Sequence, residues 1–214
     1  MNKSEKFWDN VSKTYDKDEN RFKQTHIKFI ENTKKYLNVS DIVLDYGCAT
    51  GTKTFELASN VNKIQCIDIS SKMIEIAKRK AVAHKIENVD FVQTTIFDEK
   101  VINESYDVIL AFNILHAIES NKQSIQRIFD LLKPGGLFIS TTPCLKEKMA
   151  FLTKLKVSFY LILIKIGLVP NILTSFNISE LEDLITSGNF KVIEAENIYY
   201  QMSNYFVIAK KLEA

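Results

Sequence analysis

The chain has 214 residues, 46% hydrophobic and 25% charged, which is enough to bury one sizeable α/β core and short for two. Its formal net charge of +2, with no run of five like charges, gives no pull toward nucleic acid. No repeat and no low-complexity tract stands out.

Residues 6–37 read as helical, with Phe7, Val11, Phe22, Ile27, Phe29 and Ile30 spaced among polar neighbours. From residue 42 the pattern changes. Apolar runs of strand length at 42–45, 63–68, 89–93, 106–112 and 136–141 alternate with amphipathic stretches at 52–58, 71–84 and 120–132. Such alternation predicts a parallel sheet with crossover helices on both faces. Lys133-Pro134-Gly135-Gly136 reads as the turn that stops a helix and feeds the next strand. The segment 144–176 interrupts the alternation with Leu, Ile, Phe and Lys, and is expected to be a helical insert over the active site. Ser179-Glu180-Leu181-Glu182 reads as a capping-box start to a helix that ends near Gly188. Runs at 190–196 and 205–210 then read as an antiparallel pair at the sheet edge. The expected fold is a Rossmann-like, doubly wound α/β domain over residues 1–214, with about seven strands, mostly parallel, and an antiparallel C-terminal edge.

The sharpest chemical signal is Val43-Leu44-Asp45-Tyr46-Gly47-Cys48-Ala49-Thr50-Gly51, where the first strand passes into a helix. Gly47 permits a tight turn, and Gly51 permits close packing of the helix on the sheet. A ligand can therefore lie against bare N–H groups at the helix start. Asp45 discriminates between ligands: a phosphate site repels a carboxylate there, whereas a cationic ligand attracts one. Asp68 closes the second strand, 68 − 47 = 21 positions after the first glycine. That spacing suits an acid for ribose hydroxyls, so an adenosine-bearing ligand is expected. Read blandly, Asp68 is a helix cap before Ser70 and Ser71.

These residues, with Ile67-Asp68-Ile69-Ser70, Met73 and Ala77, resemble the first two motifs of the class I S-adenosylmethionine methyltransferases. The turn through Lys133-Pro134-Gly135-Gly136 resembles a third motif, and Phe7-Trp8-Asp9 through Tyr15-Asp16 resembles the N-terminal cover (residues 1–37) of the ubiquinone/menaquinone-biosynthesis-like branch. The resemblance implies S-adenosyl-L-methionine as cofactor, S-adenosyl-L-homocysteine as product, and methyl transfer to a small-molecule acceptor, with an apolar one among the candidates. It implies that Gly47, Cys48, Ala49 and Gly51 hold the methionine part, while Asp68 takes the ribose. Ile69 and Met73 would pack on the adenine, with Ile96 on its other side. Ala111 and Phe112 would meet the methionyl ammonium, and Tyr15 would close over the site. Two positions depart from the family pattern: Ala49 stands for a frequent glycine, and Thr95 for a frequent aspartate on the adenine amino group.

His116 follows the fourth strand, where it reads evenly as a general base or as a hydrogen-bonded structural histidine. The three histidines lack metal-ligand spacing, so no metal is expected. Cys48, Cys66 and Cys144 lack CxxC spacing and read as free thiols of a reducing cytoplasm, and the polar N-terminus carries no signal-peptide pattern. Two other functions stay open at this point: a catalytically silent cofactor-binding protein and an NAD-dependent oxidoreductase. Within 149–169, Lys154, Lys156 and Lys165 break the apolar run, so no spanning helix is expected. A roof over the site is expected there, with peripheral membrane contact as the sharper reading.

Overall fold

The computed structural model describes residues 3–118, 120–169 and 173–213. Parts of the expected cover (1–37), insert (144–176) and C-terminal boundary therefore lie outside the described residues. The described residues form a seven-stranded sheet of order β3-β2-β1-β4-β5-β7-β6. The strands are β1 (Ile42–Tyr46), β2 (Lys63–Asp68), β3 (Val89–Gln93), β4 (Tyr106–Phe112), β5 (Leu132–Pro143), β6 (Phe190–Tyr200) and β7 (Met202–Lys211). The first five pair in parallel, and β7 pairs antiparallel with both β5 and β6. The helices are α1 (Lys3–Val11), α2 (Tyr15–Glu19), α3 (Lys23–Lys34), α4 (Thr52–Leu57), α5 (Ser71–His84), α6 (Asn121–Leu131), α7 (Phe151–Lys165) and α8 (Ile178–Thr186).

Period-two alternation divides each central strand between two cores. Val108, Leu110 and Phe112 of β4 pack with Phe29, Leu57, Ile74 and Ala77, on the side covered by α3, α4 and α5. Ile109 and Ala111 pack with Ile125, Ile128, Leu181 and Ile185 of α6 and α8. Both faces of β4 are thus apolar, which is why its sequence is a continuous run rather than an alternating one.

Local chemistry departs from the expected elements at three places. The helical stretch 6–37 is divided among α1, α2 and α3. Ser12 Oγ bonds back to the Asp9 carbonyl at 2.7 Å, and a turn follows before Tyr15. The Lys133–Gly136 turn lies inside β5 as a bulge, since Leu132 pairs with Tyr106 and Leu137 already pairs with Val108. Gly135 takes φ +71° there. The capping box of α8 belongs to Asn177 rather than Ser179: Asn177 Oδ1 accepts from Glu180 N at 2.8 Å, and Glu180 Oε2 accepts from Asn177 N at 2.9 Å.

Gly51 sits at φ +76°, and a Cβ there would stand 2.9 Å from Phe55 Cζ and 3.0 Å from Phe91 Cζ. Gly51→Ala is expected to cost about 2 kcal/mol, from left-handed backbone strain plus displacement of two packed rings. Urea unfolding would register it; an unchanged midpoint would show that the loop relaxes freely.

Candidate active site

The strand order reverses between β1 and β4, so the crevice beyond their carboxyl ends is where an open α/β sheet binds ligands. Gly47 N and Cys48 N both donate to the Ile67 carbonyl, at 2.8 and 3.1 Å, pinning the β1–α4 loop across the end of β2. Gly47 takes φ +74°, and Ala49 takes φ +50° despite its Cβ. An alanine in that region stores backbone strain at the loop where the sequence departs from glycine.

Asp68 holds this corner together. Its Oδ2 accepts from Ala49 N at 3.0 Å and its Oδ1 from Ser70 N at 2.8 Å. Burial pushes its carboxyl up to about 6, against the opposing pull of those N–H groups. The helix cap of α5 is Ser70, whose hydroxyl accepts from Met73 N at 3.1 Å, so the bland capping role does not fall to Asp68 itself.

A cleft at this point is walled by Trp8, Tyr15, Gly47, Ala49, Asp68, Ile69, Met73, Thr94, Phe112 and Asn113, among others. Six of the expected cofactor residues are on that wall: Gly47, Ala49, Asp68, Ile69, Met73 and Phe112. Asp45, Cys48, Gly51, Thr95, Ile96 and Ala111 are not. Asp45 is buried behind the loop, where its carboxylate accepts from the Thr54 hydroxyl and burial pushes it up to about 6. Cys48, Ile96 and Ala111 are core residues. Thr94 rather than Thr95 faces the cleft, and its hydroxyl donates to Asp98 at 2.7 Å.

The N-terminal helices are fastened across this cleft by charge. Asp9 accepts from Ser70 Oγ at 2.6 Å and from Lys72 N at 3.1 Å, at the start of α5. Asp16 accepts from Thr50 Oγ1 at 2.6 Å and from Lys80 Nζ at 2.8 Å, while Glu19 pairs with Lys53. Between these anchors Tyr15 enters the cleft. Burial, followed by the negative charge of Asp68, holds its hydroxyl well above the ordinary phenol range. The remaining space is about 70 Å³, room for a few waters only.

A second cavity, of about 450 Å³, shares the walls Trp8, Tyr15 and Asn113 with the first. It is lined by Phe7, Phe22, Phe29, Leu145, Val157 and Tyr160, with Thr25, His26, Asn113, His116 and Asn204 as polar exceptions. Among the described residues, His116 Nδ1, Asn113 Oδ1 and Thr25 Oγ1 are buried without hydrogen-bond partners. Burial lowers the His116 imidazole to about 4, so it is neutral near pH 7. Asn113 also takes φ +56°, which puts a strained residue at the junction of the two spaces. The sequence reading missed Tyr46 and Thr94 as wall residues. No group of three or more metal-ligating side chains occurs among the described residues.

The model for the family described as "Methyltransferase domain" matches residues 37–203. The ubiquinone biosynthesis O-methyltransferase of Rickettsia canadensis is 26% identical over 176 residues, covering 80% of this chain and 72% of that protein. The carboxy-S-adenosyl-L-methionine synthase of Nautilia profundicola is 27% identical over 194 residues, covering 82% and 79%. A solved S-adenosylmethionine-dependent methyltransferase from Methanosarcina mazei superposes with a TM-score of 0.68 at 22% identity, over 84% of this chain and 96% of that one. The transferase reading is thereby carried, and not the oxidoreductase or silent-binder alternatives. With the motif, the doubly wound sheet and the cleft at its switch point, this chain belongs to the methyltransferase domain family and is an S-adenosylmethionine-dependent methyltransferase.

Proposed function

We propose that the chain methylates a small, largely apolar acceptor carrying one polar nucleophile, with the cofactor in the cleft and the acceptor in the adjoining cavity. The observation that carries this reading is the junction: the two spaces meet at Trp8, Tyr15 and Asn113. The cleft residues suit the cofactor. Gly47 offers bare backbone, Asp68 keeps acceptor capacity beyond its two N–H partners, and Ile69 with Met73 gives an apolar wall. When bound, the cofactor supplies an electrophilic methyl group. Asp45, set behind the loop, and Cys48 and Gly51 within it support the shape of the site from below.

Thr95, Ile96 and Ala111 act through their neighbours Thr94 and Phe112. Tyr15 fills the cleft until the cofactor takes its place, and residues 1–37 then serve as its cover. The 144–176 segment roofs the acceptor cavity, since Leu145, Val157, Tyr160 and Leu173 line it. His116, neutral and with a free Nδ1, accepts the proton of the nucleophile, and Asn113 orients that group. Catalysis rests chiefly on alignment and on exclusion of water by the aromatic walls. The O-methyltransferase name of the Rickettsia relative supports oxygen as the methylated atom.

A series of phenols and catechols with lengthening alkyl chains tests the reading, with S-adenosylhomocysteine formation as the readout. Turnover that rises with chain length is expected. Binding of S-adenosylhomocysteine without turnover across the series would overturn it in favour of a silent binder.

A further inference from the structure

Helix α7 carries apolar residues where a surface helix ordinarily carries polar ones. At 3.6 residues per turn, Thr153, Val157, Tyr160 and Ile164 share one face. That face is half-buried, and Val157 and Tyr160 line the acceptor cavity. The opposite face presents Leu152, Leu155, Phe159, Ile162 and Ile166, which are 69%, 61%, 62%, 55% and 61% exposed, with Phe151 beside them at 79%. A contiguous exposed apolar stripe of this kind marks an interaction surface.

Lysines flank the stripe on both sides: Lys156 along one edge, Lys154 and Lys165 along the other. All three are exposed, and none forms an ion pair among the described residues. From residue 148 to residue 179 the sequence contains four lysines and neither Asp nor Glu. Long lysine side chains beside an apolar stripe can reach headgroups while the stripe enters the acyl boundary. A two-fold copy of the chain on this face would set lysine against lysine, whereas an anionic bilayer complements them. The helix has 15 residues, and no helix among the described residues is long and apolar enough to cross a membrane, so this one would lie in the interface plane.

We infer that the outer face of α7 docks the protein on a lipid bilayer bearing anionic headgroups. The inference stands apart from the assignment of the acceptor and is tested without it. The full chain is sedimented with phosphatidylcholine vesicles, with and without phosphatidylglycerol, at low and high salt. Co-sedimentation is expected with the anionic vesicles, falling by at least about tenfold on neutral ones and sharply at high salt. Phe159→Asp with Ile162→Asp, and separately Lys154→Glu with Lys156→Glu and Lys165→Glu, are each expected to abolish it. These side chains are already exposed, so unchanged thermal unfolding should accompany the loss. No sedimentation with anionic vesicles, or equal sedimentation of both variants, would overturn the inference. So would a dimer in sedimentation velocity that the Phe159→Asp and Ile162→Asp pair dissolves, since the face would then belong to a second copy.

Discussion

Replacement of Asp68 by alanine is expected to weaken S-adenosylhomocysteine binding by about 3 kcal/mol, on the order of a hundredfold, in calorimetric titration. Among the described residues the carboxylate is the one acidic side chain on the cleft wall, and it already accepts from Ala49 N and Ser70 N. Its removal deletes the proposed acceptor for the ribose and releases two N–H groups that fix the loop against α5. Both losses act on the same corner, so affinity should fall more than stability does. Asp45→Asn offers the contrast: its carboxylate is turned to Thr54 behind the loop, so the heat of binding should change less. Equal effects at both positions would mean that the loop's integrity alone governs affinity and that Asp68 has no direct contact with the ligand.

The second large effect concerns acid. His116 is buried, and its imidazole titrates at about 4 in the folded chain against 6.5 when free. Below pH 6.5 the unfolded chain takes up a proton that the folded chain refuses until about 4. The stability His116 contributes is therefore complete above 6.5 and is lost as the pH falls through that window, by about 3 kcal/mol in full. His26, lowered to about 4 by partial burial, acts in the same direction. Asp45 and Asp68 act oppositely. Their folded values near 6 exceed the ordinary 3.8, so they favour the folded chain at low pH and lose that contribution as pH rises through 6.

Because these contributions oppose one another, the wild-type profile alone understates each. His116→Gln isolates one: relative to wild type, the variant should gain about 2–3 kcal/mol between about pH 7 and about pH 4.5 in urea unfolding. A constant offset across that range would show that the imidazole is solvated and protonates normally.

The central strand β4 was legible because it is buried on both faces and reads as one apolar run. The runs of β2, β3 and β4 and the amphipathic pattern of α5 have the boundaries the sequence predicts. The Lys133–Gly136 bulge was not, because a Pro-Gly-Gly turn and a bulged strand look alike locally; only the pairing of Leu132 with Tyr106 separates them. Nor was the division of the N-terminal stretch, which depends on the Ser12 hydroxyl choosing the Asp9 carbonyl over solvent.

The cleft was half legible. Gly47 and Asp68 lie on regular elements whose ends the pattern locates, whereas Thr94 and Thr95 follow the last residue of β3, where period two no longer says which side chain faces inward. Asn113 directly follows β4 at the switch point, and asparagine tolerates the left-handed conformation found there. The second cavity was expected only by segment, with the N-terminal residues as a cover and 144–176 as a roof, and not by the side chains that line it. Its walls come from α1, α3, α7 and the β4 terminus, brought together only by tertiary packing.

The position of β7 governs the order in which this sheet can be completed during synthesis. β7 is nearly continuously buried and lies between β5 and β6, although the ribosome makes it after both. A nascent chain that has reached Tyr200 therefore holds β5 with one hydrogen-bonding edge open and Phe138 and Ile139 awaiting cover. Such an edge invites pairing with other chains. Pairing of β7 with both β5 and β6 is what covers that edge, so contacts far from the cleft keep the sheet from offering it to other chains.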